Sequence, residues 1–136
     1  MITRLGGCLC GQVRYRLEGE PLAVTLCHCT HCRKQSASNQ AMNWVVISDN
    51  LTIEGALKTY LDTGDSGQPV KREFCPNCGS PIRSLSDIMP GKTILKAGTL
   101  DVMPEVPPTA ESYCVNLAAW EESQPPMLRF PRARTA

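Results

Sequence analysis

The sequence predicts a mainly β fold with one short helix, held together by bound metal. Short segments in which polar and apolar residues alternate recur along the chain, with Gly, Pro, Asn and Asp between them. The 136 residues include 11 Pro and 10 Gly, which disfavours long helices. Seven of the eight cysteines fall in three closely spaced groups, a pattern typical of metal ligands.

The predicted strands begin at residues 12–17, where polar and apolar side chains alternate as in a half-buried strand. Eight further segments have the same strand-like character and are bounded by turn residues: 23–26, 43–47, 51–54, 57–61, 70–74, 82–85, 93–96 and 113–117. Only residues 30–37 favour a helix, with Thr30 as its predicted N-cap. The proline-containing stretch 104–108 is too short for a linker, so we predict a single domain over residues 1–136.

Charge and hydropathy exclude two classes of partner. The formal net charge is +1 and the basic residues form no stripe, so we expect no nucleic-acid binding. We expect the basic residues Arg129, Arg132 and Arg134 to form a solvated terminus. No segment is apolar enough to span a membrane, and residues 1–7 do not resemble a signal peptide. We therefore expect a cytoplasmic protein of undetermined oligomeric state, in which reduced cysteines bind metal.

Two cysteine pairs predict a closed, structural zinc site. Cys8 and Cys10 form a C-x-C motif flanked by glycines, and Cys75 and Cys78 form a C-x-x-C motif around a Pro-Asn turn. Tight turns of this kind present two thiolates to one ion. The two pairs together supply the four ligands of a tetrahedral site.

The remaining group predicts a second zinc with an open position, giving two zinc ions per chain. Cys27, Cys29 and Cys32 can take three corners of a tetrahedron and leave the fourth for a substrate, as catalytic zinc sites do. Arg33 and Lys34 follow directly, and their charge could receive a substrate carboxylate. A solvated helix face explains these two cations equally well.

Three alternatives stay open at this stage. Cys114 could complete a second closed site, although its position in a predicted strand favours a small buried residue. Cys75 and Cys78 could form a redox pair, but no βαβ pattern surrounds them. His28 or His31 could replace a thiolate, but the seven thiolates already divide into four and three.

The cysteine motifs, with their flanking residues, resemble a known family. They are GGCLCGQVRY at 6–15, CHCTHCRK at 27–34, FCPNCGS at 74–80, GTLD at 98–101 and the late Trp120. In this order the motifs resemble the glutathione-dependent formaldehyde-activating (GFA) family, also called the CENP-V/GFA domain. The resemblance spans residues 6–120.

The resemblance implies an Mss4-like fold of curved antiparallel sheets held by zinc. It assigns Cys8, Cys10, Cys75 and Cys78 to the structural zinc, and the other group to a catalytic-type zinc where the glutathione thiol interacts. The implied activity is that of a carbon–sulfur lyase or synthase, which forms S-hydroxymethylglutathione from formaldehyde and glutathione through a zinc-bound thiolate. The chain departs from the family in two places: Gln35-Ser36-Ala37-Ser38 stands where a Ser-Gly step is common, and the region after Pro108 matches loosely, with Cys114 at an unusual position.

Two non-catalytic functions compete with the enzyme hypothesis. One is a carrier or sensor that binds a thiol or its aldehyde adduct without turnover. The other is a protein-interaction module in which both zinc ions are structural, since fold alone does not decide function. The ligands of the second zinc distinguish these hypotheses, because a closed site would leave no position for a thiol.

Overall fold

A computed structural model describes residues 1–121 and 127–134 of the chain. The helices of this part are α1 (Thr30–Ser36) and three 3₁₀ helices at Ser48–Asn50, Ala97–Thr99 and Cys114–Asn116. The strands are β1 (Thr3–Gly7), β2 (Arg14–Glu18), β3 (Ala23–Cys27), β4 (Ala41–Ile47), β5 (Leu51–Glu54), β6 (Lys58–Thr63), β7 (Pro69–Phe74), β8 (Pro81–Ser86), β9 (Lys92–Lys96), β10 (Ala110–Ser112) and β11 (Leu128–Arg129). The prediction of a mainly β fold with one α-helix is confirmed.

The strands form two sheets. A small antiparallel sheet has the order β1-β2-β5, and a large sheet has the order β11-β10-β3-β4-β9-β8-β7-β6. The large sheet is antiparallel except at one edge, where β10 pairs in parallel with β3 and β11. The expected antiparallel arrangement needs this correction, because long connections bring β10 and β11 to the edge in the direction of β3.

The core lies between the two sheets and follows the alternation of their strands. Tyr15 and Leu17 of the small sheet are 3% and 1% exposed, and Trp44 of the large sheet is fully buried. Further apolar residues from both sheets complete the cluster: Val13, Val24, Val46, Leu51, Ile82 and Leu95. Burial of these side chains provides the main hydrophobic stabilisation. None of the helices in the described ranges has the length and apolar character needed to cross a membrane.

The chain after residue 109 differs from its prediction. A strand was expected at 113–117, but β10 ends at Ser112, and Tyr113 adopts a left-handed conformation (φ 56°) before a 3₁₀ helix. Arg129 lies in β11, and the backbone N–H of Tyr113 donates to the carbonyl of Arg132 at 3.0 Å. The side chains of Arg129, Arg132 and Arg134 are exposed, as expected of a solvated terminus, but the backbone of this segment pairs with β10 and with the turn that follows.

The N-cap of helix α1 lies one residue earlier in the chain than predicted. Cys29 is the N-cap in place of Thr30, and its Sγ accepts a hydrogen bond from the backbone N–H of Cys32 at 3.2 Å. Ala37 ends the helix in the left-handed region with φ 54°. A thiol thus performs the capping role for which Thr30 was the expected residue.

Candidate metal centres and the cleft beside them

Two tight turns bring Cys8, Cys10, Cys75 and Cys78 together as the four-cysteine cluster. The first pair follows β1 in the small sheet, and the second follows β7 in the large sheet. Their four Sγ atoms all lie within 4.8 Å of one another. Backbone N–H groups point at the sulfurs: that of Val13 lies 3.2 Å from Cys8 Sγ, and that of Asn77 lies 3.4 Å from Cys75 Sγ. Such N–H···S hydrogen bonds stabilise thiolates, which are the form that binds metal.

The donor set of this cluster fits a closed tetrahedral zinc site, because four thiolates are a common structural zinc ligand set. A hydrogen bond from Ser80 lowers the pKa of the Cys78 thiol to about 5, which favours the anionic ligand. Cys75 is fully buried, and Cys8 is 6% exposed. A metal held here would join the small sheet to the large one.

The GTLD motif contacts the end of the GGCLCGQVRY motif beside the four-cysteine cluster. Arg14 forms a bidentate salt bridge with Asp101, in which Arg14 Nη1 donates to Asp101 Oδ1 at 2.9 Å. The hydroxyls of Tyr15 and Thr99 are 2.8 Å apart. These contacts hold the segment 98–101 against β2, beside the turn that carries Cys8.

Cys27, Cys29 and Cys32 form the three-cysteine cluster. Cys27 ends β3, Cys29 caps α1, and Cys32 lies in the first turn of that helix. Their Sγ atoms lie within 4.8 Å of one another. Three convergent thiols on a rigid strand–helix junction fit a zinc ion that retains a fourth position.

The electrostatics of the three-cysteine cluster favour a thiolate at Cys32. Hydrogen bonds from Cys27 and Cys29, together with the charges of Lys96 and Arg72, lower the pKa of Cys32 to about 2. The hydrogen bond to Cys29 raises the pKa of the Cys27 thiol. The cluster therefore holds negative charge beside two cations.

Cys114 and the two histidines lie outside both clusters. Cys114 is half-buried in a 3₁₀ helix, not in a strand as expected, and it does not belong to the three-cysteine group. His28 is buried with Nε2 3.0 Å from Glu111 Oε1. His31 Nδ1 lies 2.7 Å from Asp62 Oδ2. None of these three residues therefore joins either cysteine cluster.

A cleft of about 590 Å³ opens beside the three-cysteine cluster. Its floor is one face of the large sheet, which explains why alternate residues of neighbouring strands line it. The polar and charged residues that line it include Asn43, Asp65, Arg72, Ser84, Lys96 and Glu111, and the exposed Arg132 and Arg134 also line it. Tyr113 packs against the cysteines, and its hydroxyl donates to Asp65 at 2.5 Å. Burial and that hydrogen bond raise the pKa of Tyr113, so its hydroxyl stays protonated.

Two buried cations face this cleft. Arg72 Nε donates to Asp62 Oδ2 at 2.7 Å, and Lys96 Nζ donates to Asn43 Oδ1 at 3.1 Å. Burial would raise the pKa of Asp62, but hydrogen bonds from His31 and Arg72 lower it to about 2, so Arg72 keeps a charged partner. Burial lowers the pKa of Lys96. Sequence reasoning missed both cations, since strand pairing brings them to the cysteines from 40 or more residues away.

The two cations that the sequence singled out lie elsewhere. Lys34 is exposed and lines a neighbouring pocket of about 490 Å³, which shares His31 and Arg72 with the cleft. Arg33 is half-buried with an unpartnered Nε and does not line the cleft. Their assignment as substrate contacts stays a prediction.

A family model described as glutathione-dependent formaldehyde-activating enzyme (GFA) matches residues 3–116. The chain belongs to the GFA family. Among solved structures, a crystal structure of a Rhodobacter sphaeroides protein superposes with a TM-score of 0.58 at 23% identity. The match covers 74% of this chain and 91% of that one, and it supports a shared fold. A comparison with curated proteins found no significant match.

Proposed function

We propose that this GFA-family chain is a zinc-dependent carbon–sulfur lyase or synthase acting on the adduct of glutathione with a small aldehyde. The observation that carries the proposal is the three-cysteine cluster, which lies at the wall of a cleft that also contains Arg72 and Lys96. A buried structural site has no need of such a cleft. We further propose that residues 1–136 act as one zinc-binding domain with two zinc ions.

The side chains around the cleft suit a charged thiol. Zinc bound by Cys27, Cys29 and Cys32 would supply a Lewis acid that favours the deprotonated form of a thiol. Arg72 offers hydrogen bonds to a carboxylate, a group that glutathione carries at both ends. Tyr113 and Asp65, hydrogen-bonded to each other, border the same space. These groups bind and orient a thiol so that its sulfur lies beside the cysteines.

The position of Cys114 favours a thiol-binding function over an interaction module. A module with two closed sites requires a fourth protein ligand at the three-cysteine cluster, and no further Cys, His, Asp or Glu of the described residues joins that group. An enzyme and a carrier share this geometry. They differ in whether the bound thiol exchanges with its aldehyde adduct faster than in solution.

The first test is zinc content per chain by elemental analysis, with and without glutathione. We expect two zinc ions in the wild type and in Cys114→Ser, and one in Cys29→Ser. A wild type with one zinc that gains a second on adding glutathione would also support the proposal, because the substrate thiol would then be a ligand. Loss of a zinc in Cys114→Ser, with no effect of glutathione, would support two closed sites and the interaction module.

The second test is turnover. Exchange NMR with isotope-labelled formaldehyde measures the rate at which the aldehyde passes between solution and the glutathione adduct. We expect the wild type and Cys114→Ser to raise this rate above buffer, and Cys29→Ser to have no effect. Thiol binding without faster exchange would identify a carrier.

A further inference from the structure

The floor of the cleft contains a polar group whose hydrogen-bonding capacity the protein does not use. Ser84 is 2% exposed, lines the cleft, and has an Oγ without a hydrogen-bond partner. Buried hydroxyls in folded proteins are normally hydrogen-bonded, and an exception indicates a missing ligand or water.

Lys96 lies on the same floor, and its ammonium group has N–H donors that the described residues do not use. It is 9% exposed, and its ammonium group donates to the neutral Asn43 amide. No carboxylate forms a salt bridge with it among the residues of the described ranges. An ammonium has three N–H donors, so two remain for a ligand.

Strand register brings Ser84 and Lys96 to one face. Lys96 pairs with Asn43 across β9 and β4, and Ser84 pairs with Ile94 across β8 and β9. Ile94 and Lys96 are two residues apart on β9 and therefore point to the same side of the sheet. Lys96 and Ser84 line the same cleft as all three thiols of the three-cysteine cluster, so the donors and the sulfurs face one space.

We propose that Lys96 and Ser84, with Asn43 positioning the ammonium, form the site that binds the aldehyde oxygen and the hydroxyl of the adduct. This proposal rests on the function proposed above and names the residues that recognise the electrophile. An alternative is that Lys96 only balances the negative charge of the cysteines. That role explains neither the unpartnered Ser84 hydroxyl nor the neutral hydrogen-bond partner of Lys96.

The chemistry places charge at this site. The thiolate sulfur shares an electron pair with the aldehyde carbon, the carbon–sulfur bond forms, and the carbon–oxygen π pair moves to the oxygen. That oxygen then takes a proton from water, which gives the hydroxyl of the adduct. In the reverse direction the hydroxyl loses the proton and the carbon–sulfur bond breaks. Donors fixed beside the oxygen stabilise the charge that develops on it.

The test compares affinity for glutathione alone with affinity for glutathione in excess formaldehyde, where the adduct forms spontaneously. Isothermal titration is applied to zinc-loaded wild type, Lys96→Met, Ser84→Ala and the control Lys92→Met. Lys92 is an exposed residue at the start of the same strand and does not line the cleft. Zinc content and circular dichroism are measured for every variant.

We expect the wild type and Lys92→Met to bind the adduct more tightly than the thiol. In Lys96→Met this preference should fall by about tenfold or more, since hydrogen bonds to charged groups are among the stronger ones. If the proposal holds, affinity for the thiol alone should change by less than about threefold, a smaller effect than the loss of one net hydrogen bond. Exchange catalysed by Lys96→Met should drop by about 10²-fold, as when an oxyanion donor is removed.

The second test variant, Ser84→Ala, is a smaller chemical change than Lys96→Met. It removes one unpartnered oxygen, so the fold should be as stable as the wild type while the adduct preference falls. An unchanged preference in both Lys96→Met and Ser84→Ala overturns the oxygen site but leaves the proposed function standing. If Lys96→Met does not fold, the Ser84→Ala result decides. A wild type that binds neither thiol nor adduct overturns the proposed function, and the oxygen site with it.

Discussion

Cys75 belongs to the four-cysteine cluster and Cys29 to the three-cysteine cluster, and their surroundings differ. Cys75 is fully buried where the two sheets meet, whereas Cys29 is half-buried at the start of α1. We expect Cys75→Ser to unfold or strongly destabilise the chain, because structural zinc contributes about 10 kcal/mol or more to folding. Cys29→Ser should lose one zinc and keep the fold. Thermal unfolding with parallel zinc analysis measures both effects.

The comparison has a built-in control, since both variants make the same chemical change. A Cys29→Ser protein that is fully unfolded would contradict the division into structural and cleft-facing sites. So would a Cys75→Ser protein with two zinc ions and wild-type stability.

Tyr15 offers a residue-level prediction of pH dependence. Burial raises the pKa of its hydroxyl to about 12, against an ordinary value of about 10. The folded state therefore prefers the neutral form, and this contribution to stability is complete below about pH 10 and is lost as the pH rises towards 12. In an ultraviolet titration of the tyrosines, Tyr15→Phe should lack one ionisation near pH 12. A missing ionisation near pH 10 would show that burial does not control this group.

At the scale of single residues, the sequence predicts the two cysteine clusters better than it predicts their surroundings. Cysteine spacing is local, so both clusters could be predicted from the motifs. Lys96 and Ser84 could not, because their meeting with the cysteines depends on which strands pair and in which register. Alternation along β9 predicts only that Ile94 and Lys96 share a face.

Helix α1 ends on a residue that is poorly suited to its conformation. Ala37 has φ 54°, and glycine adopts this left-handed conformation without the steric penalty of a Cβ. We expect Ala37→Gly to stabilise the protein by about 0.5–1 kcal/mol, since relief of strain outweighs the added entropy of the unfolded chain. Urea unfolding of the zinc-loaded protein measures the change.

Ala41→Gly is the matched control for this substitution. Ala41 is a buried strand residue at the start of β4, where glycine removes a packed methyl group and should destabilise the protein. If Ala37→Gly destabilises the protein as Ala41→Gly does, the left-handed conformation is not a source of strain.

Among the elements, the strands from β2 to β9 were predictable, whereas β1, β10 and β11 were not. β1 has the sequence TRLGG, and its two glycines are unfavourable in strands, so the pattern does not predict one. A Cβ at Gly6 would lie 2.4 Å from the Tyr15 ring, so close packing explains the glycine there. β10 and β11 are three and two residues long and depend on backbone pairing with distant parts of the chain.

For the whole molecule, the two clusters differ in what they connect. The four-cysteine cluster links turns of the small and large sheets, whereas the three-cysteine cluster lies within one strand–helix junction beside the cleft. We therefore expect a chelator to remove zinc in two phases. The first should be fast and leave the near-ultraviolet circular dichroism unchanged, and the second should coincide with unfolding.

A coloured chelator records release, and circular dichroism records the fold in the same sample. Cys29→Ser is the control, because it should show only the second phase. Unfolding during the first phase of the wild type would mean that the cleft-facing metal also holds the sheets together.

The spacing of the ligands also has a consequence during protein synthesis. All three thiols of the cleft-facing cluster lie within residues 27–32, so the growing chain presents them together soon after they leave the ribosome. Cys10 and Cys75, in contrast, are 65 residues apart and come together only after most of the domain has been made. If each cluster binds zinc as proposed, a local peptide segment would capture the first ion, and the second would be captured as the sheets assemble.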